Sequence, residues 1–165
     1  MMKTRHQRAS GFTLTELVVV MVIIGILAAV AGPRLMGRGA FDARGFEDQV
    51  IAALQYARQQ AVAQRRVVCV ALASGSVAIT RAPAPPPDGL CDATPLLNPA
   101  TGAAYAVNAP SGIILSGISV ALPTTLSFDQ LGRPRFAATL RVQGDDSHCL
   151  SVEAETGYVR DITCP

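Results

Sequence analysis

The chain opens on a polar, basic stretch and then turns abruptly apolar. From Leu17 through Pro33 no residue is charged, and extending the run back to Phe12 adds only Glu16. Phe12 to Gly32 is 21 residues, about 31 Å as a helix, the thickness of a bilayer core. Gly32-Pro33 interrupts the helical hydrogen-bond ladder where the apolar run ends, so a kink is expected at Pro33. The bland alternative is that Pro33 simply opens a loop. A second pattern argues for more helix beyond it. Phe46, Val50, Leu54, Ala57 and Ala61 are spaced 4, 4, 3 and 4 apart, an apolar stripe with a period near 3.6. Asp48, Gln49, Gln55, Arg58, Gln59 and Gln60 mostly fill the other face. An amphipathic helix is expected from about Asp42 to Arg65.

After Arg66 the pattern becomes that of strands. Val67-Val68-Cys69-Val70-Ala71-Leu72 is β-branched and apolar, and Ser74-Gly75-Ser76 turns it into Val77-Ala78-Ile79-Thr80. Residues 82–89 hold four prolines and read as an extended surface loop; the stretch from there to about Pro110 reads as irregular. Strands are expected at 113–118, 125–128, 135–142, 148–154 and 158–162, with turns marked by Asp129-Gln130-Leu131-Gly132, Gly144-Asp145-Asp146 and Glu155-Thr156-Gly157. A long helix followed by an antiparallel sheet is an α+β arrangement.

Two fates are open to the apolar run. It could be an ordinary secretory signal, cut at Ala29-Val30-Ala31 to release a soluble domain starting at Gly32. Or the cut falls before it, between Gly11 and Phe12, and the helix stays. Glu16 favours the second, because an unpaired carboxylate in an apolar helix costs several kcal/mol and calls for a partner. The basic residues Lys3, Arg5 and Arg8 hold the preceding segment in the cytoplasm and leave everything after the helix outside.

Gly11-Phe12-Thr13-Leu14-Thr15-Glu16-Leu17 before an unbroken apolar helix resembles the signal of type IV pilins and type II secretion pseudopilins. The resemblance implies a leader at 1–11, cleavage after Gly11 by a prepilin peptidase, N-methylation of Phe12, and a transmembrane and assembly helix at 12–33. It further implies a second half of the stem at 34–66, a periplasmic β domain at 67–165, and a pilin-like ladle overall. Glu16 would then neutralise the terminal amine of a neighbouring subunit, a buried pair that sets register. Ser127-Phe128-Asp129-Gln130-Leu131-Gly132-Arg133-Pro134 and the ending Cys149-Leu150-Ser151-Val152…Thr156-Gly157-Tyr158-Val159-Arg160…Cys164 resemble the GspH/FimT group of minor pilins and pseudopilins. In that turn Asp129 is suited to capping, Gly132 to a positive φ, and Arg133 to pairing with Asp129 or with a neighbour.

Charge and cysteines refine this picture. Lys3, Arg5 and Arg8 are three of 14 basic residues, and the 11 that follow the leader face 12 acids, a net charge of −1. Some members of the group bind DNA through a Gly-Arg-x-Arg stretch. Here the final hairpin reads Gly157-Tyr158-Val159-Arg160, and Gly132-Arg133-Pro134-Arg135 matches one turn too early, so Arg133, Arg135 and Arg160 are the candidate DNA contacts. A net negative mature chain weakens that alternative. Cys69, Cys91, Cys149 and Cys164 allow three pairings; Cys69 with Cys91 and Cys149 with Cys164 is preferred, in an oxidising compartment. No zinc-type spacing is present, and His6 and His148 are the only histidines. No metal, cofactor or catalytic set is expected.

The expected function is therefore structural: a minor subunit that assembles into or primes a type II secretion pseudopilus, a type IV pilus or a mannose-sensitive-haemagglutinin-type pilus. Its partners would be other subunits, the prepilin peptidase and an inner-membrane assembly platform. The alternative is a DNA-binding minor pilin for DNA uptake.

Overall fold

The structure is a computed structural model that describes residues 13–35, 38–83, 91 and 94–165, with side chains for all of these except 30–35 and 38–40. The chain divides into two compact units, Met1–Arg38 and Gly39–Pro165. Gly11 and Phe12 lie outside the described residues, as does the side chain of Pro33.

The first unit contains α1 (Leu14–Leu35). Thr13 stops the helix from starting earlier: its carbonyl accepts the N–H groups of Glu16 and Leu17 at 3.1 and 3.2 Å, and its hydroxyl accepts the Glu16 N–H at 3.3 Å. The helix runs through Pro33 and ends two residues later, so Pro33 does not open a loop. Its described side chains end at Ala29 and are exposed all round the helix. Within the described residues no helix is long and apolar enough to cross a membrane; the sequence carries the uncharged run on to Gly32.

The second unit is built on α2 (Arg38–Gln64). The stripe Phe46, Val50, Leu54, Ala57 and Ala61 is buried, and Ala43 and Ala53 join it. The helix closes on a Schellman motif, in which the Arg65 N–H donates to the Val62 carbonyl at 3.3 Å and the Arg66 N–H to the Ala61 carbonyl at 3.2 Å. Arg65 takes the left-handed place usually given to glycine, with φ 50°.

Nine strands follow among the described residues: β1 (Val68–Ala73), β2 (Ser76–Arg81), β3 (Thr94–Pro95), β4 (Ala106–Asn108), β5 (Ile114–Gly117), β6 (Thr124–Phe128), β7 (Ala138–Gln143), β8 (Ser147–Val152) and β9 (Val159–Ile162). One sheet runs β3-β2-β1-β6 with β4 also on β2, and the other runs β5-β7-β8-β9. Every pairing is antiparallel. The short strands β3 and β4 fall where the sequence reads as irregular. They are two and three residues long, too short for alternation to show. The sheets meet at the β1–β2 turn, where the Leu115 N–H donates to the Ser74 carbonyl at 2.8 Å.

Alternation along β7 buries Ala138, Leu140 and Val142. Val68, Val70 and Leu72 of β1, Leu126 and Phe128 of β6, and Leu150 and Val152 of β8 meet them and α2 in one core. Cys69, on the opposite face of β1, is bonded to Cys91, and Cys149 to Cys164. The second bond ties β8 to the chain just beyond β9.

A non-glycine residue in the left-handed region costs about 1–2 kcal/mol. Arg65→Gly is therefore expected to raise the unfolding free energy by about 1 kcal/mol, read by urea denaturation of the chain in detergent.

Candidate functional site

For a chain with these patterns the candidate site is a surface for other subunits, and its first part is α1. Leu14 is 81% exposed, and Leu17, Val18, Val19, Met21, Ile23, Ile24, Ile26 and Leu27 are all at least half exposed. A helix apolar on every face needs covering by lipid or by other helices. Glu16 is the single acid within it and lies at its exposed first turn.

Glu16 also belongs to the N-terminal cap of α1. Thr13-x-x-Glu16 is the capping-box pattern, and the Thr13 hydroxyl bond to the Glu16 N–H fills half of it. The Glu16 carboxylate thus sits at the positive end of the helix, worth about 0.3–1 kcal/mol when exposed. The Thr-x-x-Glu spacing just before an apolar run was the available signal.

The second part lies where the two C-terminal motifs meet. Asp129 caps its turn: its Oδ1 accepts the N–H groups of Leu131 and Arg133 at 2.9 and 2.8 Å. Gly132 has φ 78° and Gly157 φ 65°. Both press on α2. A side chain at Gly132 would meet Val62 at 3.0 Å and Arg58 at 3.2 Å, while one at Gly157 would collide with the Gly132 carbonyl oxygen and reach Arg58 and Phe128 at 3.2 Å. The polar side of α2 is therefore not a free face. Gln55 Nε2 donates to the Val159 carbonyl at 3.4 Å, and Arg58 is wedged beneath the two glycine turns. Around them Val62, Leu131 and Tyr158 are exposed.

The three arginines singled out for DNA each stand beside an acid. Arg133 and Arg135 line a recess of about 270 Å³ together with Asp129. Arg160 is bonded to Glu153 at 2.9 Å. Acids accompany each group, whereas phosphate binding needs concentrated cations. The DNA alternative is not supported. No metal-binding cluster occurs among the described residues.

Residues 48–157, about two thirds of the chain, match the family model of the type II transport protein GspH. The chain belongs to the GspH family. Residues 6–32, outside that span, match the prokaryotic N-terminal methylation motif. No curated protein matches the chain. Solved structures of two other proteins share the fold of this GspH-family chain. The type IV minor pilin FimU of Pseudomonas aeruginosa gives a TM-score of 0.54 at 18% identity, over 75% of this chain and 90% of that one. The minor pseudopilin EpsH from the type 2 secretion system of Vibrio cholerae gives 0.52 at 14% identity, over 75% and 95%. At such identities the likeness is one of architecture.

Gly157 and Gly75 yield a contrast. Gly157→Ala is expected to cost more than about 1–2 kcal/mol, since the backbone strain alone amounts to that and the new methyl strikes the Gly132 carbonyl. Gly75→Ala, with nothing within 4 Å, should stay within about 0.5 kcal/mol of the parent. Denaturant unfolding of both variants reads the difference.

Proposed function

We propose that this GspH-family chain is a minor pilin or pseudopilin, a structural subunit that assembles into or primes a type II secretion pseudopilus or a type IV pilus. The observation that carries the proposal is α1: apolar on every described face, exposed, and holding one carboxylate.

A prepilin peptidase removes residues 1–11, and Phe12 becomes the methylated N-terminus. Before assembly the apolar run anchors the subunit in the inner membrane, with Lys3, Arg5 and Arg8 on the cytoplasmic side and the disulfide-bonded domain in the oxidising periplasm. During assembly the platform draws the helix into a bundle of other subunits' helices. There lipid contacts exchange for helix contacts at little net apolar cost. Charge then decides register: Glu16 meets the amine of a neighbouring Phe12, and a pair of this kind specifies one alignment more than it adds stability. Pro33, which removes one backbone donor, marks where the helix leaves the bundle. The role is structural rather than catalytic.

Glu16→Ala tests this reading. The variant should still be cleaved and membrane-bound, yet fall more than tenfold in the sheared filament fraction, because truncating one member of a buried charge pair costs roughly 2–5 kcal/mol. Undiminished incorporation would contradict an assembly role for Glu16.

A further inference from the structure

Glu47 is the only buried charged side chain among the described residues, 1% exposed. It stands on α2 one position from Phe46, in line with Ala43, Val50 and Leu54. Its Oε2 accepts from Arg44 Nη1 at 3.0 Å, and His148 Nδ1 of β8 lies 3.7 Å from the same oxygen. Its Oε1 is buried without a hydrogen-bond partner. Arg44 is shared further, with Asp161 of β9 at 3.6 Å and Asp48 of α2 at 3.9 Å. One guanidinium thus serves three carboxylates, and the imidazole is the only other basic group among the contacts.

Such an arrangement is costly as a mere brace. A buried carboxylate that shares its cation loses hydration that one hydrogen bond does not restore. A leucine at position 47 would continue the apolar stripe. Burial pushes the Glu47 carboxyl above its ordinary 4.5, against the opposing pull of Arg44 and His148.

We propose that Glu47, Arg44, His148 and Asp161 form a proton-tightened joint between the first turns of α2 and strands β8 and β9. The charge count gives the direction. With His148 neutral, one cation faces three anions. A proton on His148 supplies a second cation beside the Glu47 oxygen that already binds Arg44. A proton on Glu47 removes the buried negative charge. Both events bring the cluster nearer balance, so uptake of a proton strengthens the joint.

The sign for Glu47 agrees. A carboxyl whose folded pKa is raised contributes stability that is complete below 4.5 and is lost as pH rises through the higher folded value. His148 offers the proton a way in, being 24% exposed where Glu47 is 1%. The opposing wall is rigid: β8 and β9 are paired, with Leu150 opposite Asp161, and Cys149 beside His148 is bonded to Cys164. Loosening therefore falls on the α2 side, in the turns that carry Arg44, Glu47 and Asp48.

Amide hydrogen exchange of the full chain in detergent micelles tests the joint, with rates corrected for the intrinsic effect of pH. Residues 42–50 are expected to be several-fold more protected at about pH 5.5 than at about pH 7.5, because local opening of those turns is what exchange reads. Glu47→Gln should abolish the difference, and His148→Asn should reduce it. Equal protection of the parent at the two pH values, or a difference that survives in Glu47→Gln, overturns the proposal. If Glu47→Gln fails to fold, Asp161→Asn decides. Removing that competing carboxylate frees Arg44 for Glu47 and should raise protection at about pH 7.5, whereas a simple loss of a salt bridge would lower it. An unchanged or lowered protection in that variant counts against the joint.

Discussion

The second unit depends on one contact, the seating of α2's apolar face on the two sheets. Phe46, Val50 and Leu54 supply the bulk of that face, set among the smaller Ala43, Ala57 and Ala61. Truncating a buried leucine such as Leu54 removes roughly 2–5 kcal/mol, a large share of the stability of a domain this size. The flanking row of the helix then does what the apolar face cannot. Arg44, Glu47, Gln55 and Arg58 engage β8, β9 and the two glycine turns by charge, hydrogen bond and close approach. Apolar burial gives the helix its place, and these directional contacts give it one register.

α1 obeys the opposite rule. Its first turn is capped by Thr13, and its described surface beyond that turn is apolar and exposed. Such a helix has no preferred face and can exchange one apolar surrounding for another with little gain or loss. Directional information has to come from a charge, and Glu16 is the only one between Leu14 and Pro33. The family assignment and this asymmetry belong together: an isotropic apolar rod, to which the proposed role gives anchoring and bundling, joined in sequence to a domain whose internal packing is fixed in detail.

Much of this was legible in the sequence because it is local and periodic. The stripe from Phe46 to Ala61, the alternation of Ala138, Leu140 and Val142, and the Asp129 and Gly132 turn chemistry each leave a pattern within a few residues. What was illegible is either too short or not local. β3 and β4 hold five residues between them, one a proline, and exist because β2 offers an edge. The meeting of Gly132 with Gly157 over Arg58 joins three segments far apart in the chain. Glu47 lay between these cases. The positions 43, 47, 50 and 54 follow helical spacing, so a carboxylate stood in the apolar stripe in plain view, but only the fold reveals Arg44, His148 and Asp161 around it.

Whether the helix that begins at Leu14 stays on the working protein is read most directly by the intact mass and N-terminal sequence of the protein recovered from membranes and sheared filaments. A chain starting at Phe12 and carrying one added methyl group is the predicted result. A chain starting at Gly32, with the apolar run gone, would contradict it.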